Sequence, residues 1–231
     1  MARETPSDRI HKLLDAAAKA FVEHGFRRTQ MDDVAERLGV SKGTIYRTVV
    51  SKEALFAAVV EWGDKPDEVP VTGVNGTVDL AATATSVTTQ LAAVVGALEL
   101  ATIVSTRRRL KAEGFGDEVE QVVIGLHRLM RKRRTTVMVL DRCAGEIPEL
   151  AAVWFGEGRY ALVDLWTDYL ELRSSHVTIN VDRAILARTI VETITTWAIK
   201  MPWDPAPRPY PADTATECAA MIRQLLIGPP Q

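Results

Sequence analysis

The first sixty residues carry apolar side chains at the three- and four-residue spacing of α-helices. This spacing runs through residues 10–21, which predicts a first long helix that ends near Gly25. Thr5 and Pro6 stand at the cap and first-turn positions of that helix. The pattern resumes over residues 51–62, where it predicts a further helix.

Two short helices are predicted between these two. The hydroxyl of Thr29 can accept a free backbone N–H of the first, and Asp32, three residues on, can reach back. Gly39 supplies the left-handed residue that commonly ends a helix. Ser41 can cap the second helix, which continues to about Thr48. Two short helices joined by a tight turn with glycine form a helix-turn-helix, whose second helix enters the DNA major groove.

A lysine follows the serine cap of two predicted helices, at Lys42 and Lys52. Because helix N-termini carry partial positive charge, each lysine is misplaced by roughly 0.3–1 kcal/mol at an exposed site. A phosphate docked at the same helix end would reverse that sign. Glu53 weakens the second case, and two ordinary surface lysines remain the alternative.

The second short helix has one face suited to contact with DNA. Gly43 costs about 0.5–1 kcal/mol relative to alanine inside a helix, which is tolerable where the backbone must approach a ligand closely. Ile45 and Val49 point inward, so the remaining side chains are exposed. The predicted DNA-binding residues are Thr29, Gln30, Ser41, Lys42, Gly43, Thr44, Tyr46, Arg47, Thr48 and Lys52.

The segment GFRRTQMDDVAERLGVSKGTIYRTVVSKEALF resembles the DNA-binding region of the TetR-like family of bacterial transcriptional regulators. The resemblance covers roughly residues 8–62 and rests on T-x-M-x-D-V-A, G-V-S-K-G-T-I-Y and S-K-E-A-L-F in this order. The family usually has Y-x-[HY]-F where this chain has Tyr46 to Val49, so Thr48 replaces a common phosphate or base contact. The resemblance implies that the helix at 51–62 links a DNA-reading unit to a regulatory core.

Residues 63–76 contain glycine and proline that break helices, which predicts a linker and a domain boundary. We expect an all-α fold, with a three-helix DNA-binding unit in residues 1–62 and a larger helical ligand-binding and dimerisation domain in residues 63–231. HVTINV alternates like a strand but has no partner strand, so a loop is predicted there. Further helices are predicted at about 78–98, from there to a break at 114–116, at 117–142, from 148 onward, at 181–201 and at 212–227.

A small, mostly apolar effector is expected to bind within residues 78–201. Many Ala, Val and Thr residues, with glycines at 156 and 158, can leave a cavity that aromatic side chains line. A packed core without a cavity is the alternative. The predicted ligand contacts are Trp154, Gly158, Leu162, Trp166 and Tyr169.

The last two helices carry apolar stripes. In the resembling family, two such helices usually pair with those of a second subunit, which implies a homodimer and an operator that is an imperfect palindrome. Closure of the chain's own core is the alternative. The predicted dimer contacts are Leu186, Ile190, Ile194, Trp197, Met221 and Leu225.

Charge and composition narrow the functional classes. The net charge is −2, and residues 1–62 hold ten Lys or Arg against nine Asp or Glu, which argues against nonspecific coating of nucleic acid. Cys143 and Cys218 are too few for a disulfide framework or a zinc site. Without a secretory signal or an apolar run long enough for a membrane, the protein is expected in the cytoplasm. No nucleophile–base pair, metal-ligand spacing or phosphate loop is seen, so we expect no enzyme activity, no cofactor and no metal.

The sequence therefore predicts a sequence-specific, DNA-binding transcriptional regulator, a repressor that a small-molecule effector releases from double-stranded operator DNA. The alternative is an all-α ligand-binding or adaptor protein that no longer reads DNA, because Thr48 and Val49 depart from the family pattern.

Overall fold

The computed structural model describes residues 6–69, 78–204 and 208–228. All regular structure in these ranges is helical and no strand occurs in them, so the all-α fold class is confirmed. Thr5, and residues 70–76 of the predicted linker, lie outside the described residues.

The helices are α1 (Pro6–Arg28), α2 (Met31–Leu38), α3 (Lys42–Tyr46), α4 (Lys52–Trp62), α5 (Leu80–Gly96), α6 (Glu99–Thr106), α7 (Phe115–Lys132), α8 (Arg134–Cys143), α9 (Pro148–Ala151), α10 (Arg159–Leu172), α11 (Arg183–Thr195) and α12 (Thr214–Ile227), with π-helical segments at Ala152–Gly158 and Thr196–Lys200.

The single helix predicted at 117–142 is wrong, because the chain leaves helical geometry at Arg133 and starts α8 after it. The carboxylate of Asp64 accepts the backbone N–H groups of Thr135 and Thr136, both at 2.8 Å. These bonds satisfy two of the free donors in the first turn of α8. Because Asp64 lies 71 residues away along the chain, the local sequence does not predict this cap.

The segment HVTINV is a loop, as predicted. The backbone N–H and the hydroxyl of Thr178 both donate to the carbonyl of Leu226, at 2.8 and 3.1 Å. One carbonyl near the end of α12 therefore holds the loop, and no partner strand is needed.

The chain forms two compact units, residues 1–89 with 133–156, and residues 90–132 with 157–231. The boundary predicted after residue 62 separates a DNA-binding unit from a ligand-binding and dimerisation domain, and it stays a prediction. Packing divides the chain differently, because α8 and the residues that follow it belong to the same unit as α1 to α4.

The end of α1 is shaped by contacts within the first unit. Gly25 has φ 81° and ψ 173°, a conformation that glycine adopts almost alone. Glu146 accepts the backbone N–H of Arg27 at 2.7 Å, and Arg142 donates to the carbonyl of His24 at 3.1 Å. Arg142 also donates to Glu146 at 2.9 Å. This arginine–carboxylate pair therefore fastens the turn through which the chain passes from α1 to α2.

The second unit has its own apolar core, built from α6, α7, α10, α11 and α12. Apolar residues of α7, α11 and α12 are buried there. The core includes Ile103, Val119, Val122, Val123, Leu126, Trp166, Tyr169, Leu186, Ile190, Ile194, Cys218, Ile222 and Leu226.

A buried ion pair adjoins this core. Glu118 and Arg173 are only 3% and 4% exposed. Arg173 donates to both carboxylate oxygens of Glu118, at 2.8 and 3.1 Å. Tyr169 and Arg108 donate to the same carboxylate at 3.1 and 2.9 Å. Each charge is thus paired and hydrogen-bonded, the condition under which buried charges are tolerated.

Candidate nucleic-acid interface

The helix-turn-helix forms as predicted between α2 and α3. Gly39 ends α2 in the left-handed conformation, with φ 66° and ψ 32°. The cap at the start of α2 differs from the prediction. Gln30 occupies it, and its backbone N–H donates to the carboxylate of Asp33 at 2.7 Å.

Thr29 does not cap α2 and does not face solvent. Its side chain is 1% exposed, and its hydroxyl donates to the carbonyls of Gly25 and Ala20, at 2.6 and 3.2 Å. The backbone N–H of Thr29 donates to the same Gly25 carbonyl at 3.2 Å, so Thr29 is held against the end of α1. We therefore correct the prediction and remove Thr29 from the DNA-binding residues.

The recognition helix α3 is fixed from its inner side. Ile45 and Val49 are buried, as predicted. The helix ends at Tyr46, two residues earlier than expected. Its outer face is exposed at Ser41, Lys42, Gly43, Tyr46 and Arg47, while Thr44 and Thr48 are half-buried.

Three polar side chains of this outer face contact one another. The hydroxyls of Ser41 and Thr44 lie 3.0 Å apart, and Arg47 donates to the hydroxyl of Thr44 at 3.0 Å. Ser41 holds the cap position of α3, yet its side chain makes no hydrogen bond to a backbone N–H of that helix. Thr44 therefore orients the guanidinium of Arg47.

Gly43 is not required by packing in the protein alone. A Cβ placed on it would meet nothing nearer than the hydroxyl of Ser41, at 3.9 Å. Its φ does not lie in the left-handed region. Neither crowding nor backbone geometry accounts for glycine here, and the surface at Gly43 is open to an external group.

Both lysines at helix starts have partners inside the protein. Lys42 lies 2.8 Å from the carboxylate of Asp32, whose hydrogen bond and charge raise the pKa of the lysine. Lys52 donates to the carbonyl of Arg27 at 3.3 Å and lies 4.8 Å from the centre of the Phe26 ring. These contacts offset part of the unfavourable placement that the sequence indicated, so the lysines alone do not require a phosphate.

The predicted ligand contacts fall in two different units. Trp154 belongs to the first and donates to Asp141 at 2.7 Å. Trp166 and Tyr169 belong to the second unit and are fully buried in its core, which is the packed alternative. Gly158 and Leu162, also in the second unit, are half-buried.

Three of the predicted dimer contacts are enclosed by the chain's own core. Leu186, Ile190 and Ile194 are buried there, so their assignment to a subunit contact is corrected. Helical periodicity finds a buried face but does not reveal which chain buries it. Trp197 is half-buried, whereas Met221, Leu225 and the unpredicted Ile185 are exposed.

The described residues were also compared with the requirements of a metal site, a reactive thiol and a membrane-spanning helix. No three His, Cys, Asp or Glu side chains of the described residues are grouped so that they could hold a metal ion. Cys143 and Cys218 are buried, and burial raises their pKa to about 12 and about 11. No single described helix has the length and apolarity to cross a membrane, although the bent pair α5 and α6 passes the same test together, by length and composition only.

The helix-turn-helix segment is similar in sequence to known bacterial regulators. Residues 13–59 match the model of bacterial regulatory proteins, tetR family. The chain is 47% identical over 49 residues to the HTH-type transcriptional regulator YhgD of Bacillus subtilis (strain 168), a match that covers 21% of this chain and 26% of that protein. It is 41% identical over 54 residues to the HTH-type transcriptional activator FasR of Mycolicibacterium smegmatis, covering 23% of this chain and 25% of FasR.

The matched segment spans about a quarter of the length of these relatives. A solved TetR-like transcriptional regulator from Rhodococcus sp. RHA1 is similar over 96% of both chains, with a TM-score of 0.51 and 20% sequence identity. At that identity the likeness concerns the fold. Residues 13–59 are therefore similar to bacterial regulatory proteins of the tetR family, and the fold of the chain is similar to that of a TetR-like regulator.

Proposed function

We propose that the protein is a sequence-specific, DNA-binding transcriptional regulator. The outer face of α3 carries this proposal, because Thr44 orients Arg47 beside exposed Tyr46 while Ile45 anchors the helix from within. Side chains fixed before binding lose less conformational freedom when they meet DNA. The proposed DNA contacts are Gln30, Ser41, Lys42, Gly43, Thr44, Tyr46, Arg47, Thr48 and Lys52.

The finer part of the proposal concerns regulation. The protein is proposed to act in the cytoplasm as a homodimeric repressor without enzyme activity. A small, mostly apolar effector bound within residues 78–201 releases it from DNA. Such release requires only that the effector favour a state whose two recognition helices no longer match the spacing of about 34–36 Å set by one DNA turn.

The alternative is a ligand-binding or adaptor protein that no longer reads DNA. The half-buried Thr48 favours it, because the family usually has a larger side chain there. A gel shift with the DNA upstream of its own gene separates the two proposals. We expect a shifted complex that survives excess unrelated DNA and that an Arg47→Ala variant fails to form; loss of the complex to any competitor DNA would favour the alternative.

Gly43→Ala is expected to separate DNA binding from stability. Alanine fits the space beside Ser41 and removes the helix cost of glycine, so the free energy of unfolding should stay the same or rise by up to about 1 kcal/mol. The added methyl group should hinder close approach of the α3 backbone to DNA. Urea unfolding and fluorescence anisotropy with operator DNA measure the two effects, and unchanged DNA affinity would show that Gly43 is not at the interface.

A further inference from the structure

An acidic side chain pairs with a proposed phosphate contact of the recognition helix. Asp32, in the first turn of α2, lies 2.8 Å from the ammonium group of Lys42, the first residue of α3. The side chains are 65% and 47% exposed. Water and ions reach this pair, so a competing anion can replace the carboxylate.

The neighbouring carboxylate has a different role. Asp33 accepts the backbone N–H of Gln30 and so completes the cap of α2. Asp32 is not needed for that cap, and its hydrogen bond reaches Lys42 ten residues on. Its effect on α2 is limited to the favourable placement of a negative charge in the first turn.

On the basis of the proposed function, we propose that Asp32 tunes DNA affinity by competing with the DNA phosphates for Lys42. When Lys42 turns to a phosphate, the carboxylate of Asp32 is left beside the DNA and recruits a cation from solution. DNA binding by the wild type then releases about one counterion fewer than the number of its cationic contacts implies.

The expected consequence is tighter binding once this carboxylate is neutral. For Asp32→Asn, affinity for operator DNA at low salt should rise about fivefold, the upper range for an exposed ion pair. The slope of log affinity against log salt should steepen by about one unit. Circular dichroism and urea unfolding establish that the variant is folded.

Asp15→Asn is the matched control. Asp15 pairs with Lys19 at the same 2.8 Å, with the same 65% exposure of the aspartate, but on α1. This variant removes the same charge from the protein, so it measures the effect of net charge alone. We expect a smaller gain in affinity and an unchanged slope.

Three results would overturn the competition. Unchanged or weaker binding by Asp32→Asn is one, and equal gains in both variants is another. The third is a steeper slope that persists when Asp32→Asn is combined with Lys42→Met, since the carboxylate would then act on DNA without the lysine. If the wild type itself binds no DNA selectively, the proposed function fails first, and that outcome is distinguishable from these three.

Discussion

Replacing Glu118 by alanine is expected to lower the free energy of unfolding by about 3–5 kcal/mol, the usual cost of removing one partner from a buried ion pair. Arg173 is 4% exposed, and it would keep its charge without the two hydrogen bonds that it makes to this carboxylate. Tyr169 would lose the acceptor of its hydroxyl as well. Urea unfolding of the whole chain, monitored by circular dichroism, measures the change in the free energy of unfolding.

Glu120 provides a control on the same helix. Its carboxylate pairs with Arg223 at 2.9 Å, but both side chains are substantially exposed. Because exposed ion pairs contribute about 0–1 kcal/mol, Glu120→Ala should cost far less than Glu118→Ala. Equal losses in the two variants would contradict the assignment of Glu118 and Arg173 to a buried, mutually dependent pair.

The same carboxylate should make stability depend on acid. Burial alone would raise the pKa of Glu118, but hydrogen bonds from Arg173, Arg108 and Tyr169 and the charge of Arg173 outweigh it, so the pKa lies below its ordinary 4.5. The stabilisation is therefore complete above the unfolded-state pKa and is lost as pH falls through the lower folded-state value. Glu118→Gln should flatten this acid-dependent loss.

Gly25→Ala is expected to lower the free energy of unfolding by about 3 kcal/mol, from backbone strain and lost hydrogen bonds together. The conformation at φ 81° and ψ 173° is unfavourable for alanine. A Cβ would also clash with the side chains of Glu146 and Arg142. These side chains can move, but moving breaks their bonds to the backbone of Arg27 and His24.

Gly39→Ala separates the cost of backbone strain from the cost of the clash and its lost hydrogen bonds. Gly39 also has positive φ, at 66°, but a Cβ there meets nothing within 4 Å. The expected loss is about 1–2 kcal/mol, from left-handed backbone strain alone. Combining Gly25→Ala with Glu146→Ala should cost less than the sum of the single variants. The double variant has no Glu146 side chain for the added methyl group to meet, and it loses the Arg27 hydrogen bond only once. Strict additivity would exclude the clash.

Much of the helix-turn-helix could be predicted because its signals are local. Gly39 ends α2 through its own backbone, and Ser51 caps α4 by accepting the N–H of Ala54 three residues on. Ile45 and Val49 lie on the inner face that their spacing implies. Thr29 misled the prediction because its hydroxyl serves the kinked end of α1, which the local pattern does not reveal.

The remainder depends on partners distant in sequence. The start of α8 needs Asp64, and the burial of Glu118 needs Arg173, 55 residues away. Neither pairing has a periodic signature. The apolar stripe predicted on α11 is buried, but only packing shows that Leu186 and Ile190 close the chain's own core.

The most direct test of the DNA-reading proposal is selection of bound sequences from a random double-stranded DNA pool. Fluorescence anisotropy at physiological salt then compares the enriched sequence with a scrambled one of equal length. We predict an imperfectly palindromic sequence, bound at least about a thousandfold more tightly than the scrambled DNA. Failure to enrich any sequence, with equal affinity for all DNA, would contradict the proposal that α3 reads an operator.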